Sequence, residues 1–199
     1  MTTLGVFVGG WSVARLGLIR TMVIGAFMSP VSNLVFAWLA TQGPSLPALT
    51  VAIGVDNSAT GYAGTALIAY MSSLTSIGFT ATQYALFSSL YALPGKLIAS
   101  QSGRIIEASA RAAEGSGPFA VFRGLFARLP AGSLAAGAAT SGVTPAALGA
   151  GYVVFFLYST AIGVFGIVLA FIVAAKQTRL QARQAEEDAA IAATEGQPS

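Results

Sequence analysis

The chain has 199 residues, of which 9% are charged and 55% apolar, with a net charge of +3 and a mean hydropathy of +0.74. Soluble proteins carry about 25% charged residues, so too few charges remain to coat a water-facing surface, which excludes a soluble enzyme and extended disorder. The small excess of 10 Lys and Arg over 7 Asp and Glu leaves no nucleic-acid footprint, and the lack of any Cys or His leaves no metal site, cofactor or nucleophilic triad to expect.

A bilayer core needs about 20 helical residues to cross. The opening Met1–Val13 is apolar but too short for that and reads as the tail of a helix, followed by a basic turn through Arg15 and Arg20. No charge then lies between Arg20 and Asp56, between Asp56 and Lys96, or between Arg128 and Lys176. These intervals predict crossings at Met22–Thr41, Pro47–Leu74, Thr80–Ser102 and Ala150–Ala175, with a polar turn at Thr75–Phe79. The fold class expected is an all-α membrane protein of four transmembrane helices plus the end of a fifth. The expected divisions are 1–20 (helix end and cytoplasmic loop), 21–102 (three crossings), 103–149 (periplasmic loop), 150–176 (last crossing) and 177–199 (cytoplasmic tail).

Four crossings place Arg15 and Arg20 on the side of Lys176, Arg179 and Arg183. Basic residues near short loops mark the cytoplasmic side, so both chain ends are expected there. The long loop has its own pattern. Glu107 and Arg111 form an i,i+4 pair that supports a helix. Phe119, Phe122, Leu125, Phe126 and Leu129 follow helical spacing and predict a short helix lying in the membrane interface. Thr144-Pro145 is a cap followed by a first-turn proline that can start the last crossing. The polar tail Glu186–Ser199 is expected to fray.

Asp56 is the one carboxylate inside an expected crossing, about 14 Å in from Pro47. An acid at that depth costs about 2.5–3.5 kcal/mol on insertion scales. It is a candidate for substrate contact or proton carriage, with Asn57 beside it; alternatively it locks helix packing through small neighbours. Lys96, after Pro94-Gly95, is the one base inside a crossing. It can pair with Asp56 across antiparallel helices, hold an anionic substrate, or reach the headgroups. Tyr62, Tyr70, Gln83 and Tyr84 on the same two helices, with Ser88 and Ser89, suit a sugar or peptide, although each also fits a helix–helix hydrogen bond or an interfacial anchor.

Gly10, Arg15, Gly17 and Arg20 resemble the short cytoplasmic loop of major facilitator transporters, G-x-L-x-D-R-x-G-R-R, with Ala14 where the acid should stand. A closer resemblance is to AmpG-like muropeptide permeases of that superfamily. It is carried by Asp56-Asn57, the run Thr65–Ser72, Thr80-Ala81-Thr82-Gln83-Tyr84-Ala85-Leu86, Ser88-Ser89-Leu90, Leu93-Pro94-Gly95 and Gly151-Tyr152 before Phe155-Phe156. It covers most of 1–175 and is weakest in 115–149.

The resemblance implies a multi-pass inner-membrane importer, in a Gram-negative bacterium, that brings anhydro-muropeptides into the cytoplasm for wall recycling, driven by protons. Asp56 would couple protons or bind ligand, and Lys96 would meet an anionic group. The fold implied is a partial major facilitator bundle. A full transporter of that fold has about twelve helices with substrate held between two halves, so the chain is expected to need a first half, whether as a fragment, a split gene product or a partner chain. Another cargo such as an acyl-CoA or a different sugar, a non-transporting scaffold, and an inactive remnant are the alternatives; an enzyme is not expected.

Overall fold

The computed structural model describes residues 1–74, 80–130 and 132–195, and among these all regular structure is helical. In chain order the elements are α1 (Thr2–Leu16), α2 (Leu18–Ala40), α3 (Leu46–Leu74), α4 (Thr80–Ala99), α5 (Ser102–Ala113), a 3-10 helix (Ala120–Phe126), α6 (Ala135–Ser141) and α7 (Pro145–Glu195). The expected crossings fall on α2, α3, α4 and α7. The expected turn at Thr75–Phe79 lies outside the described residues. Among the described residues α2 and α7 are long and apolar enough to cross a membrane. Helices α3 and α4 have the length, at 29 and 20 residues, but more polar positions. The outer surface is strongly apolar: Phe7 is 73% exposed and Leu90 66%. Lipid is the solvent that covers such helices, and the chain is a membrane protein.

Glycine sets how these helices meet. Gly5 and Gly9 of α1 lie one turn apart and pack on α3. A Cβ added to Gly5 would stand within 3.0 Å of the Ser58 carbonyl, and one added to Gly61 of α3 would strike the backbone of Thr2. Gly9 sits against the backbone of Tyr62, where an added Cβ would lie 3.1 Å from its carbonyl oxygen. The order of these pairs makes α1 and α3 parallel neighbours. Between lipid-embedded helices there is no hydrophobic drive, so close backbone approach and its dispersion contacts supply the attraction.

Helix α2 runs antiparallel to α3, with Gly25 against Ala63. Its other side zips antiparallel along α7. Phe27 meets Phe171 edge-on at 5.9 Å, and Phe36 stacks on Phe156 at 5.4 Å. Between them Pro30 fills the notch left by Gly163. A proline inside a helix removes a backbone donor and pushes on the preceding turn; here its ring becomes the knob of the α2–α7 contact.

The basic turn is tighter than expected. Gly10 and Arg15 lie within α1 and Arg20 within α2, so only Gly17 separates the helices. Its φ of 83° lies where glycine alone is unstrained. Gly10 has open space around it.

Residues 102–130 and 132–144 fold against the start of α7. Glu107 and Arg111 pair at 3.4 Å on α5, as their spacing predicts. Gly151 lets α5 approach α7 at Ile106 and Ala110. The expected interfacial helix is instead the short 3-10 helix. Its Phe126 is buried on Gly149, and Phe119, Phe122 and Leu129 pack beside it, because the missing side chain at 149 leaves room for the ring. These aromatic side chains therefore pack on α7, while Val121 and Leu125 stay exposed. The tail also departs from expectation. Helix α7 continues to Glu195, since Ala, Gln, Glu and Arg are strong helix formers; residues 196–199 lie outside the described part.

The start of α7 is capped from both sides. Thr144 Oγ accepts the Ala147 N–H at 3.4 Å. The Thr144 N–H donates to the Glu114 carboxylate, 30 residues upstream. That hydrogen bond, a second one to the Thr144 hydroxyl, and the nearby Arg123 charge hold the Glu114 carboxyl below its usual value near 4.5. Arg123 also donates to the Gly115 carbonyl. Together they make a capping box whose acid comes from a distant segment.

Two outcomes test this packing. Gly5→Ala and Gly61→Ala should each lower the stability of the purified protein in detergent by about 1–3 kcal/mol through overpacking, whereas Gly10→Ala and Gly64→Ala should leave its melting temperature unchanged. A depressed carboxyl stabilises above its unfolded pKa and ceases to as pH falls through its folded one. The hydrogen-exchange protection factors of the Thr144 and Ala146–Leu148 amides, taken relative to intrinsic exchange, should therefore fall as the pH drops from 4.5 through the lowered Glu114 value, and Glu114→Gln should remove that pH dependence.

Candidate functional site

Asp56 lies on α3, ten residues from Leu46, about 15 Å along the helix. Successive residues turn by about 100°, which puts Asp56 roughly 160° round from Ser58, the residue facing α1. Thr60, Leu67 and Tyr70 continue the same stripe. Asp56 is half-buried, and among the described residues it makes no hydrogen bond or ion pair. The helix thus holds a carboxyl on a face that α1 does not cover. Its neighbour Asn57 points elsewhere: Thr2 Oγ donates to Asn57 Oδ1 at 3.0 Å, tying the start of α1 to α3.

The other candidates separate. Tyr62 is buried, 4% exposed, between Gly9 and Gly25. It is a packing residue at the junction of α1, α2 and α3. Tyr70 is 14 residues beyond Asp56, about 21 Å along α3, and borders a cavity at the opposite end. Gln83, Tyr84 and Lys96 stand on α4, which touches α3 only slightly and has no buried residue among those described. Gln83 and Tyr84 are half-buried and Lys96 is exposed. Asp56 and Lys96 do not pair. The reason lies in the α4 sequence: Gly95 meets nothing within 4 Å, Leu90 and Leu97 point outward, and Ser88 turns back to the Ala85 carbonyl. The small residues of α4, such as Ala81, Ala85 and Gly95, are not buried against α3.

Of the turn residues, Gly17 and Arg20 gather with the middle of α7, while Gly10 and Arg15 stand apart from it. A cavity of about 600 Å³ is bordered by Gly17, Arg20, Tyr70, Gln177 and Gln181. Thr2 and the α7 glutamines were missed from sequence, as was the Asp56–Thr60–Tyr70 stripe. The stripe is legible as i, i+4, i+14 spacing; the role of Thr2 and the glutamines carries no local signal. Among the described residues no group of three acids gathers that could hold a metal ion.

Comparison with known proteins bears on this arrangement. A Rickettsia conorii protein named "Putative transporter AmpG 4" is 35% identical over 103 residues, covering 52% of this chain and 25% of the relative. A Rickettsia prowazekii protein named "Putative transporter AmpG 3" is 35% identical over 95 residues, 48% of this chain and 23% of the relative. The chain is AmpG-like in sequence. The AmpG-like match spans about a quarter of the length of these relatives. No family model and no solved structure matches the chain.

Because Asp56 and Lys96 share no contact, Asp56→Asn and Lys96→Gln should act independently. A double-mutant cycle on thermal stability in detergent should be additive within about 0.5 kcal/mol.

Proposed function

We propose that this chain forms part of a proton-coupled inner-membrane transporter that imports anhydro-muropeptides for cell-wall recycling. The similarity to proteins named as AmpG transporters carries this reading, and the placement of Asp56 supports it. A carboxyl can be neutral or anionic, and the anionic form is the costlier one in a low-dielectric surrounding. Protonation therefore changes which surroundings the Asp56 face of α3 prefers, and a proton gradient can bias movement of that face between two arrangements. Asn57 is read as bracing this segment through Thr2. Lys96 is read as reaching the headgroups with its ammonium.

The helices are proposed to cross as a partial major facilitator bundle, with four crossings and the end of a fifth. Arg15, Arg20, Lys176, Arg179 and Arg183 belong to the end of the bundle where the α1–α2 turn meets α7. By the positive-inside tendency that end faces the cytoplasm, and residues 103–149 face the periplasm. Substrate would lie between this bundle and the remaining helices of such a transporter, on the same chain or another.

The test is uptake of labelled anhydro-muropeptide in bacteria lacking their own permease. Import is expected when the chain is joined to the first half of an AmpG-like transporter. Asp56→Asn should reduce that import at least tenfold, about 1.4 kcal/mol, with the protein still present in the membrane. Full import by the Asp56→Asn form would remove Asp56 from the mechanism, and no import by the joined form would refute the cargo.

A further inference from the structure

The cavity at the α1–α2 turn has a composition that the transport reading does not use. Its volume is about 600 Å³, and it opens between the turn at Gly17, the last turn of α3 and the middle of α7. Four side chains on its wall can donate to a bound anion, namely the Arg20 guanidinium, the Tyr70 hydroxyl and the amides of Gln177 and Gln181, while the Ser73 and Thr178 hydroxyls already donate to the Tyr70 and Ala174 carbonyls. None of these four side chains makes a hydrogen bond among the described residues. No acidic side chain lines it, while Leu18 and Leu74 supply an apolar wall.

Its level in the membrane follows from the charges. Arg20 closes the charge-free run of α2, and Lys176 closes that of α7. Arg20 lines the cavity, and the α7 residues on its wall, Gln177 to Gln181, directly follow Lys176, where apolar helix gives way to charge. Lys176, Arg179 and Arg183 follow on α7 before the first acid, Glu186. Donors, positive charge and apolar wall thus meet at headgroup depth.

We propose that this cavity binds the headgroup of an anionic phospholipid. The phosphodiester is held by Arg20, whose planar guanidinium suits two phosphate oxygens, and by the Tyr70 hydroxyl. Gln177 and Gln181 donate to the remaining phosphate and glycerol oxygens, and the acyl chains follow Leu18 and Leu74 into the bilayer. Basic pockets between transmembrane helices recognise anionic headgroups in this way. The same donors could take a free phosphate ester, but the apolar wall selects one that carries acyl chains.

Native mass spectrometry of the full chain in a neutral detergent tests this, with phosphatidylglycerol, phosphatidylcholine and glycerol 3-phosphate as probes. Phosphatidylglycerol should bind more tightly than phosphatidylcholine, and glycerol 3-phosphate should not displace it. Arg20→Gln should weaken phosphatidylglycerol binding about fivefold, while Arg128→Gln, in the loop far from the cavity, should leave it unchanged. Should Arg20→Gln fail to elute as folded protein, the pair Gln177→Leu and Gln181→Leu decides, with the same selective loss expected. Equal binding of the two lipids would overturn the proposal in favour of association that ignores headgroup charge, and an equal loss with Arg128→Gln would overturn it in favour of unspecific charge attraction. Displacement by glycerol 3-phosphate would overturn it in favour of a soluble phosphate ester.

Discussion

The close approach of α1 to α3 is the contact on which the rest of the arrangement depends. Gly5 and Gly61 bring two backbones so near that no side chain fits between them. In water a similar pair of helices would be driven together by burying apolar faces. In lipid that drive is absent, because acyl chains are as apolar as leucine. What remains is dispersion between close-packed atoms, together with scattered hydrogen bonds such as that from Thr2 to Asn57. The same device recurs where Gly25 meets α3, where Gly163 receives Pro30, and where Gly149 and Gly151 receive the segment before α7.

This geometry decides which polar groups are available for chemistry. Fixing α1 on one face of α3 commits Tyr62 to packing and Asn57 to bracing. Asp56 is left on the opposite face with no partner among the described residues. The capped start of α7 anchors one end of the bundle through Glu114 and Thr144, and the one-residue turn at Gly17 closes the other. The asymmetry between a folded, capped end and a basic, open end gives the bundle two distinct membrane faces.

Much of the helix pattern was legible from missing charges. Runs without Asp, Glu, Lys or Arg marked α2, α3, α4 and α7, and Thr144-Pro145 marked where α7 begins. The Glu107–Arg111 pair was legible from spacing alone. Lateral arrangement was not, because hydropathy cannot tell a face that meets lipid from one that meets protein. A pairing of Lys96 with Asp56 across α3 and α4 was therefore as open as a Lys96 that reaches the headgroups, and the small residues of α4, such as Ala81, Ala85 and Gly95, gave no sign that they would stay unburied. The Gly5-x-x-x-Gly9 spacing was the available signal for the α1–α3 contact. The Glu114 cap spans 30 residues and left no local trace. The 3-10 helix was hidden because helical spacing of aromatics looks the same whether the ring face meets lipid or a glycine on α7.

The chain contains no cysteine, so cysteine pairs introduced one at a time report proximity without background. Disulfide formation in native membranes between Thr2→Cys and Asn57→Cys, compared with Asp56→Cys and Lys96→Cys, tests the helix arrangement directly. Rapid, near-complete crosslinking of the 2–57 pair with none for the 56–96 pair is the predicted result. Efficient crosslinking of 56 to 96 would place α4 on the Asp56 face of α3, none between 2 and 57 would separate α1 from α3, and either would contradict the glycine-built arrangement.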